Sequence, residues 1–174
     1  MQQIKPTLVL TIICVVVSTL LVLANSMTAQ KIVEAQQEAL NESLVSVLGE
    51  GTNPKQSAYT SEDDTINGIY VDDKSQVAFE LTVDGYSKGG LHLLVGIDQD
   101  GAISGVSIVS ISETKGLGTK VQDSSFTSQF IGAKDDTYTF NKITGATFSS
   151  KGMKSAIDTA INTYNQHKEE ILNG

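Results

Sequence analysis

Between Pro6 and Gln30 the chain carries no charged residue, and from Leu8 to Ala24 it is almost wholly apolar. A helix needs about this length to cross the ~30 Å of hydrocarbon in a bilayer. Only a closed set of backbone hydrogen bonds survives there, which a helix supplies within itself. The run therefore predicts a membrane helix, with residues 1–30 as an N-terminal anchor. Lys5 precedes it and Lys31 follows it, so the charge asymmetry is weak. The simpler topology leaves Lys5 inside and carries the acidic remainder across. The expectation is a single-pass protein of the cell membrane with its C-terminal domain outside the cytoplasm. A cleaved signal peptide is the rival, with Ala24-Asn25-Ser26 as a small-residue cleavage site, but the apolar run is long for a signal core. Cys14, the only cysteine, lies inside the run and reads as a small hydrophobe of that helix. With no second cysteine, the exported part has no internal disulfide and relies on its core.

At 174 residues with 40% hydrophobic content, the chain suits one packed domain. Its formal net charge of -8 argues against nucleic acid, whose binding needs a cationic surface. Beyond the anchor, Val33, Leu40, Leu44, Val47 and Leu48 recur at helical spacing and predict an amphipathic helix over 31–51, ended by Gly49 and Gly51. Thr52 to Asn67 is rich in Ser, Thr, Asp and Gly and reads as a loop leading into a domain over 52–174. Val77, Phe79, Leu81 and Val83, then Leu91, Leu93, Val95 and Ile97, alternate with other residues as half-buried strands do. Asp98-Gln99-Asp100-Gly101 reads as a hairpin turn into the β-branched run Ala102 to Ile111. It lacks the further oxygen ligands of a calcium loop. Met153, Ala156, Ile157, Ala160, Ile161 and Tyr164 fall at offsets of three and four, which predicts a C-terminal helix lying on the sheet. The fold class is α+β: a single domain with an antiparallel sheet and a C-terminal helix, tethered by an N-terminal transmembrane helix.

Immediately before that last helix stands the hydroxyl-rich stretch Asn141-Lys142-Ile143-Thr144-Gly145-Ala146-Thr147-Phe148-Ser149-Ser150. One reading is helix capping, with Thr147, Ser149 or Ser150 satisfying free backbone N–H groups and Gly145 supplying a turn. The other uses the same geometry for a ligand: unpaired N–H groups and a partial positive charge at a helix start suit a phosphate. A phosphate at Thr147 fits that position, Gly145 and Ala146 leave the backbone open to close approach, and Ser149 and Ser150 can donate hydrogen bonds. Spacing alone leaves both readings open.

Thr144-Gly145-Ala146-Thr147 matches the flavinylation motif of the FMN-binding G subunits of the Rnf ion-translocating electron transport complex, and the chain resembles that family. The family is related to the C subunits of the sodium-translocating NADH:quinone reductase. Ser112-Glu113-Thr114-Lys115-Gly116-Leu117-Gly118 is similar to its Glu-Thr-Pro-Gly-Leu-Gly segment, with Lys115 where proline is usual. Gly85-Tyr86 through Gly89-Gly90, followed by Val95-Gly96-Ile97-Asp98, resembles its glycine-rich approach to the hairpin. Three motifs in family order, together with the membrane helix, extend the likeness over most of the chain.

The resemblance implies FMN esterified through its phosphate to Thr147 by a flavin transferase that uses magnesium and FAD. It implies cofactor contacts from Thr144, Gly145, Ala146, Ser149, Ser150, Glu113, Thr114, Gly116, Leu117 and Gly118. The family pattern begins with aspartate where this chain has Asn141. The complex would carry electrons between ferredoxin and NAD and couple this to sodium or proton movement. This chain would be its electron-transfer subunit, not catalytic alone, and the other membrane subunits its partners. A free-standing flavinylated reductase or sensor outside the cytoplasm is the alternative. A pilin-like fibre subunit is less favoured, because Thr7 to Ala24 contains no glutamate and no glycine precedes it.

For Glu113 the residues leave three roles open: a solvated acid, a loop anchor, or a hydrogen-bond partner of the ring. Gly116 and Gly118 also suit a plain tight turn. His92 alternates to the face opposite Leu91 and Leu93 and reads as a surface or rim residue, and His167 lies among charges near the chain end. Neither has a second His or Cys at ligand spacing, so no metal site is expected.

Overall fold

The computed structural model describes residues 4–173. Helix α1 runs from Ile4 to Leu48. Five strands follow: β1 (Lys55–Gln56), β2 (Ile66–Val71), β3 (Val77–Val83), β4 (Leu91–Ile97) and β5 (Ile103–Ile111). A 3₁₀ turn at Gly118–Gln122, the short helix α2 (Ser124–Thr127) and a second 3₁₀ turn at Ser128–Phe130 lead to helix α3 (Thr147–Asn173). The chain divides into two units, residues 1–38 and residues 39–174.

In the first unit α1 is exposed along its length, and it contains one stretch long and apolar enough to cross a membrane. The second unit begins with the last turns of α1. That helix stops where Gly49 takes φ +95, a left-handed conformation that costs an L side chain, while its N–H still bonds the Val45 carbonyl at 2.9 Å.

The strands form an antiparallel meander in the order β1-β2-β3-β4-β5. The alternating residues Val77, Phe79, Leu81 and Val83 of β3 and Leu91, Leu93, Val95 and Ile97 of β4 all face α3, whose Met153, Ala156, Ile157, Ala160, Ile161 and Tyr164 complete one core. Each fully buried large side chain there stabilises the fold by about 1.5 to 3 kcal/mol relative to exposure. The α+β architecture and the helical stripe are as the periodicity predicts. The Asp98 turn also forms as expected: the Asp98 carboxylate accepts from the Asp100 and Ala102 N–H groups, and Gly101 sits at φ +78.

The sheet is more deeply buried than its alternation suggests, because its second face is covered too. Leu44, Val47 and Leu48, from the end of α1, pack on Ala78 and Leu94. Gly96 and Gly105 make this contact possible. A Cβ on Gly96 would stand 3.0 Å from the Val47 carbonyl and Cβ, and one on Gly105 would stand 3.3 Å from the Val47 Cα. Two further differences concern loops. Residues 55–56 and 66–67, read as part of a loop, are strand, and the stretch from Gly118 to Phe130 buries Val121, Phe126 and Phe130 in the main core. Neither has the sustained alternation or helical stripe that would announce it.

The same second face holds a polar trio. Tyr70 Oη donates to Glu80 Oε2 at 2.8 Å, and His92 Nε2 lies 2.8 Å from Glu80 Oε1. His92 is thus a half-buried partner of Glu80 rather than a free rim residue. The hydrogen bond from His92 holds the Glu80 carboxyl below the usual carboxylate range; burial opposes this and Tyr70 adds to it. Burial and the bond to Glu80 push the Tyr70 phenol up to about 12. Because Glu80 is a stronger acid folded than unfolded, its stabilisation is present above its ordinary value and is lost as pH falls through the folded one. Glu80→Gln should flatten the acid limb of the stability curve and cost about 1 kcal/mol at neutral pH. Urea midpoints measured from about pH 7 down to about pH 3 check this; an unchanged acid limb would deny the trio that role.

Candidate flavin site

The motif segments, which run from Tyr86 to Ser149 in sequence, converge at the N-terminus of α3. A cleft of about 260 Å³ is lined by Tyr86, Glu113, Thr114, Leu117, Gly118 and the run from Gly145 to Ser149. Thr147 is the first residue of α3, exposed, and its hydroxyl makes no hydrogen bond among the described residues. The N–H groups of a first helical turn have no carbonyl one turn back, so they face the space beside Thr147. No acidic residue lies in that turn to occupy them. Gly145 reaches this start at φ +83, and a Cβ there would stand 3.3 Å from Leu117.

The hydroxyls divide their work. Ser150 is buried; its Oγ accepts from the Ile143 N–H at 3.0 Å and donates to the Ala146 carbonyl at 2.8 Å, which stitches the motif loop to the helix. Ser149 Oγ donates to Glu113 Oε2 at 2.5 Å. None of these hydroxyls accepts from a first-turn N–H among the described residues, so the capping reading does not describe this helix start. Ala146 occupies the cap position without a side-chain acceptor, its carbonyl taking the Ser150 N–H at 2.9 Å.

Glu113 is a loop anchor. Its carboxylate accepts from the Tyr86 N–H at 3.2 Å and the Ser87 N–H at 3.1 Å, and so joins the β3–β4 loop to α3 through Ser149. Of the other residues singled out by sequence, Thr114, Leu117, Gly118, Gly145 and Ala146 line the cleft. Thr144 and Gly116 are exposed outside its lining, Gly116 at φ +76 in the turn after Glu113, and Ser150 lies beneath. Sequence reasoning missed Tyr86 and Phe148 as wall residues. Both line the cleft although 75% and 65% exposed, an unusual outlay of aromatic surface. Their only signal was that both lie within the quoted stretches, Tyr86 in the glycine-rich approach and Phe148 directly after Thr147. A larger cleft of about 620 Å³ lies between Tyr59–Asp63 and the second half of α3, but no motif residue lines it.

The FMN-binding domain family matches residues 85–162, a range that takes in every residue of the motif cleft. The G subunit of the ion-translocating oxidoreductase complex of Aliivibrio fischeri strain MJ11 is 26% identical over 97% of this chain and 93% of its own. The G subunits of Vibrio cholerae strain M66-2 and Pseudomonas aeruginosa strain UCBPP-PA14 are 28% and 27% identical, over 97% and 98% of this chain and 93% and 92% of theirs. The chain is a relative of these G subunits. Among solved structures, the C subunit of the Na⁺-translocating NADH-quinone reductase of Parabacteroides distasonis aligns with a TM-score of 0.46 and 18% identity, covering 62% of this chain and 63% of its own. The likeness to the G subunits extends through the N-terminal helix as well as the domain, since the alignments span nearly the whole of both chains.

Proposed function

We propose that this chain is the FMN-carrying electron-transfer subunit of a membrane-bound, ion-translocating oxidoreductase of the Rnf type, with the flavin phosphate esterified to Thr147. One observation carries the reading: an exposed, unbonded threonine hydroxyl stands at a helix start, inside a cleft whose other walls are the remaining family-like motifs. The residues suit the group. Free first-turn N–H groups and the helix dipole favour a phosphate ester on the Thr147 oxygen. Tyr86, Leu117 and Phe148 offer apolar surface to a ring. At about 260 Å³ the cleft is smaller than the ~300 to 1,000 Å³ of enclosing ligand pockets, so part of a flavin would stay accessible to electron partners.

A flavin held here supplies the electron-carrying chemistry. The chain's part is to hold and orient it. In the attachment step the Thr147 hydroxyl loses its proton to solvent, its oxygen forms a bond to the FMN phosphorus of FAD, the phosphoanhydride bond breaks and AMP leaves; a magnesium-dependent flavin transferase is the catalyst. The ester prevents loss of the cofactor to an FMN-free medium. We place residues 1–30 in the membrane as a single span, 31–51 as the helix leading out of it, and 52–174 outside the cytoplasm. Confinement beside the other membrane subunits raises their effective concentration for electron transfer.

Native material, denatured and resolved on a gel, should fluoresce as a flavin at the monomer band and co-purify with other membrane subunits. A dark band and an unmodified intact mass would overturn the flavin reading. A fluorescent chain that never co-purifies would overturn its place in a complex.

A further inference from the structure

Glu113 is surrounded by glycines in a way that a loop anchor alone does not require. A Cβ on Gly85 or on Gly90 would stand 2.5 Å from Glu113 Oε1, and one on Gly118 would stand 2.6 Å from Oε2. Two chain segments, the β3–β4 loop at Gly85 and Gly90 and the turn at Gly118, have therefore given up side chains around one carboxylate. Its three donors are the Tyr86 and Ser87 N–H groups and the Ser149 hydroxyl. Neutral dipoles satisfy a carboxylate without cancelling its charge. Glu113 is also the single acid or base, Tyr86 apart, that lines the cleft containing Thr147. The charged groups on the surrounding elements are Asp84 and Lys88 on the β3–β4 loop, Lys115 and Lys120 in the segment after Glu113, and Lys142 and Lys151 flanking the start of α3; none of them lines the cleft. Asp84 is turned to its own loop, where it accepts from the Gly89 N–H at 2.6 Å.

We propose that Glu113 is a positioning residue that clamps the β3–β4 loop to the start of α3 and thereby fixes one negative charge beside the bound flavin, setting how tightly the reduced cofactor holds its second proton. The proposal rests on the flavin reading above. Two-electron reduction of a flavin adds two electrons with either two protons or one, according to pH. A fixed negative charge favours the two-proton outcome. The plot of potential against pH changes slope where the second proton is lost, and Glu113 moves that point upward. Removing the charge should let the proton leave about tenfold more readily. The slope change then falls by about one pH unit, and above it the potential is about 30 mV more positive, the equivalent of tenfold for a two-electron couple.

The test uses full-length protein made with its flavin transferase, as wild type, Glu113→Gln and Glu113→Asp. Intact mass comes first: an unmodified wild type means that the flavin reading has failed, independently of any role for Glu113. The loaded fraction of each is then titrated with dithionite from about pH 5 to about pH 9, so that incomplete loading does not affect the value read. Support requires the downward move in Glu113→Gln and a return towards wild type in Glu113→Asp, which keeps the charge. An unmoved Glu113→Gln, or an equal move in both variants, overturns the proposal, because the second result would trace the shift to lost loop contacts. Should Glu113→Gln not fold, amide exchange in unloaded wild type decides the clamp. Tyr86 and Ser87 amides should exchange at least about tenfold more slowly than that of Lys88. Equal rates overturn it.

Discussion

Thr147→Ala should yield a folded chain with no covalent flavin at all when produced beside the transferase. The loss should be complete rather than partial, because the ester needs an oxygen at that position and alanine has none. The neighbouring serine hydroxyls cannot substitute from where they stand, and Thr144 lies outside the cleft lining. Ser150 is buried and bonded on both sides, Ser149 is buried and donates to Glu113, and both serve the loop and helix start. Stability should barely change. Losing a capping side chain costs about 0.5 to 2 kcal/mol, but the Thr147 hydroxyl is exposed and bonds nothing among the described residues, so the cost should fall below that range. Intact mass and in-gel fluorescence read the first effect, and a urea midpoint reads the second. Flavin persisting on the variant would move the attachment site elsewhere.

Gly152→Ala should be the most damaging single methyl in the domain. In an exposed helix this exchange would stabilise by about 1 kcal/mol. Here the added Cβ would fall 2.2 Å from the Asp84 carbonyl oxygen, a backbone atom that cannot swing aside, and 3.0 Å from Leu91. Either α3 lifts from the sheet or the β3–β4 loop retreats. Overpacking of this kind costs about 3 kcal/mol. The functional effect should follow, since Asp84 leads directly into Gly85 and Tyr86, the stretch that Glu113 ties to the cleft. Urea unfolding should show the lower midpoint, and loading by the transferase should drop with it. A midpoint at or above wild type would mean that α3 does not approach the loop so closely.

Both predictions depend on α3, yet one was legible in the sequence and the other was not. The stripe from Met153 to Tyr164 announces a helix on a sheet because burial on one face imposes the helical period. Gly152 lies outside that stripe's signal. Its meaning is a distance to a carbonyl about seventy residues earlier, which no local pattern encodes. The strands show the same division. Alternation in β3 and β4 marks the face that meets α3, but the cover on the other face comes from Leu44, Val47 and Leu48, and nothing in the strand pattern specifies what lies across it.

By itself the sequence determined the elements whose periodicity reports burial, the charge-free apolar helix, and a hydroxyl-rich motif able to meet a phosphate. Tertiary structure alone decided which of that motif's unbonded threonine hydroxyls lies in the cleft, that Glu113 reaches the Tyr86 loop, and that Tyr86 and Phe148 wall the same cleft. The reason is physical: secondary structure follows from neighbours a few residues apart, whereas a hydrogen bond or a close glycine contact depends on where folding has brought distant segments to rest.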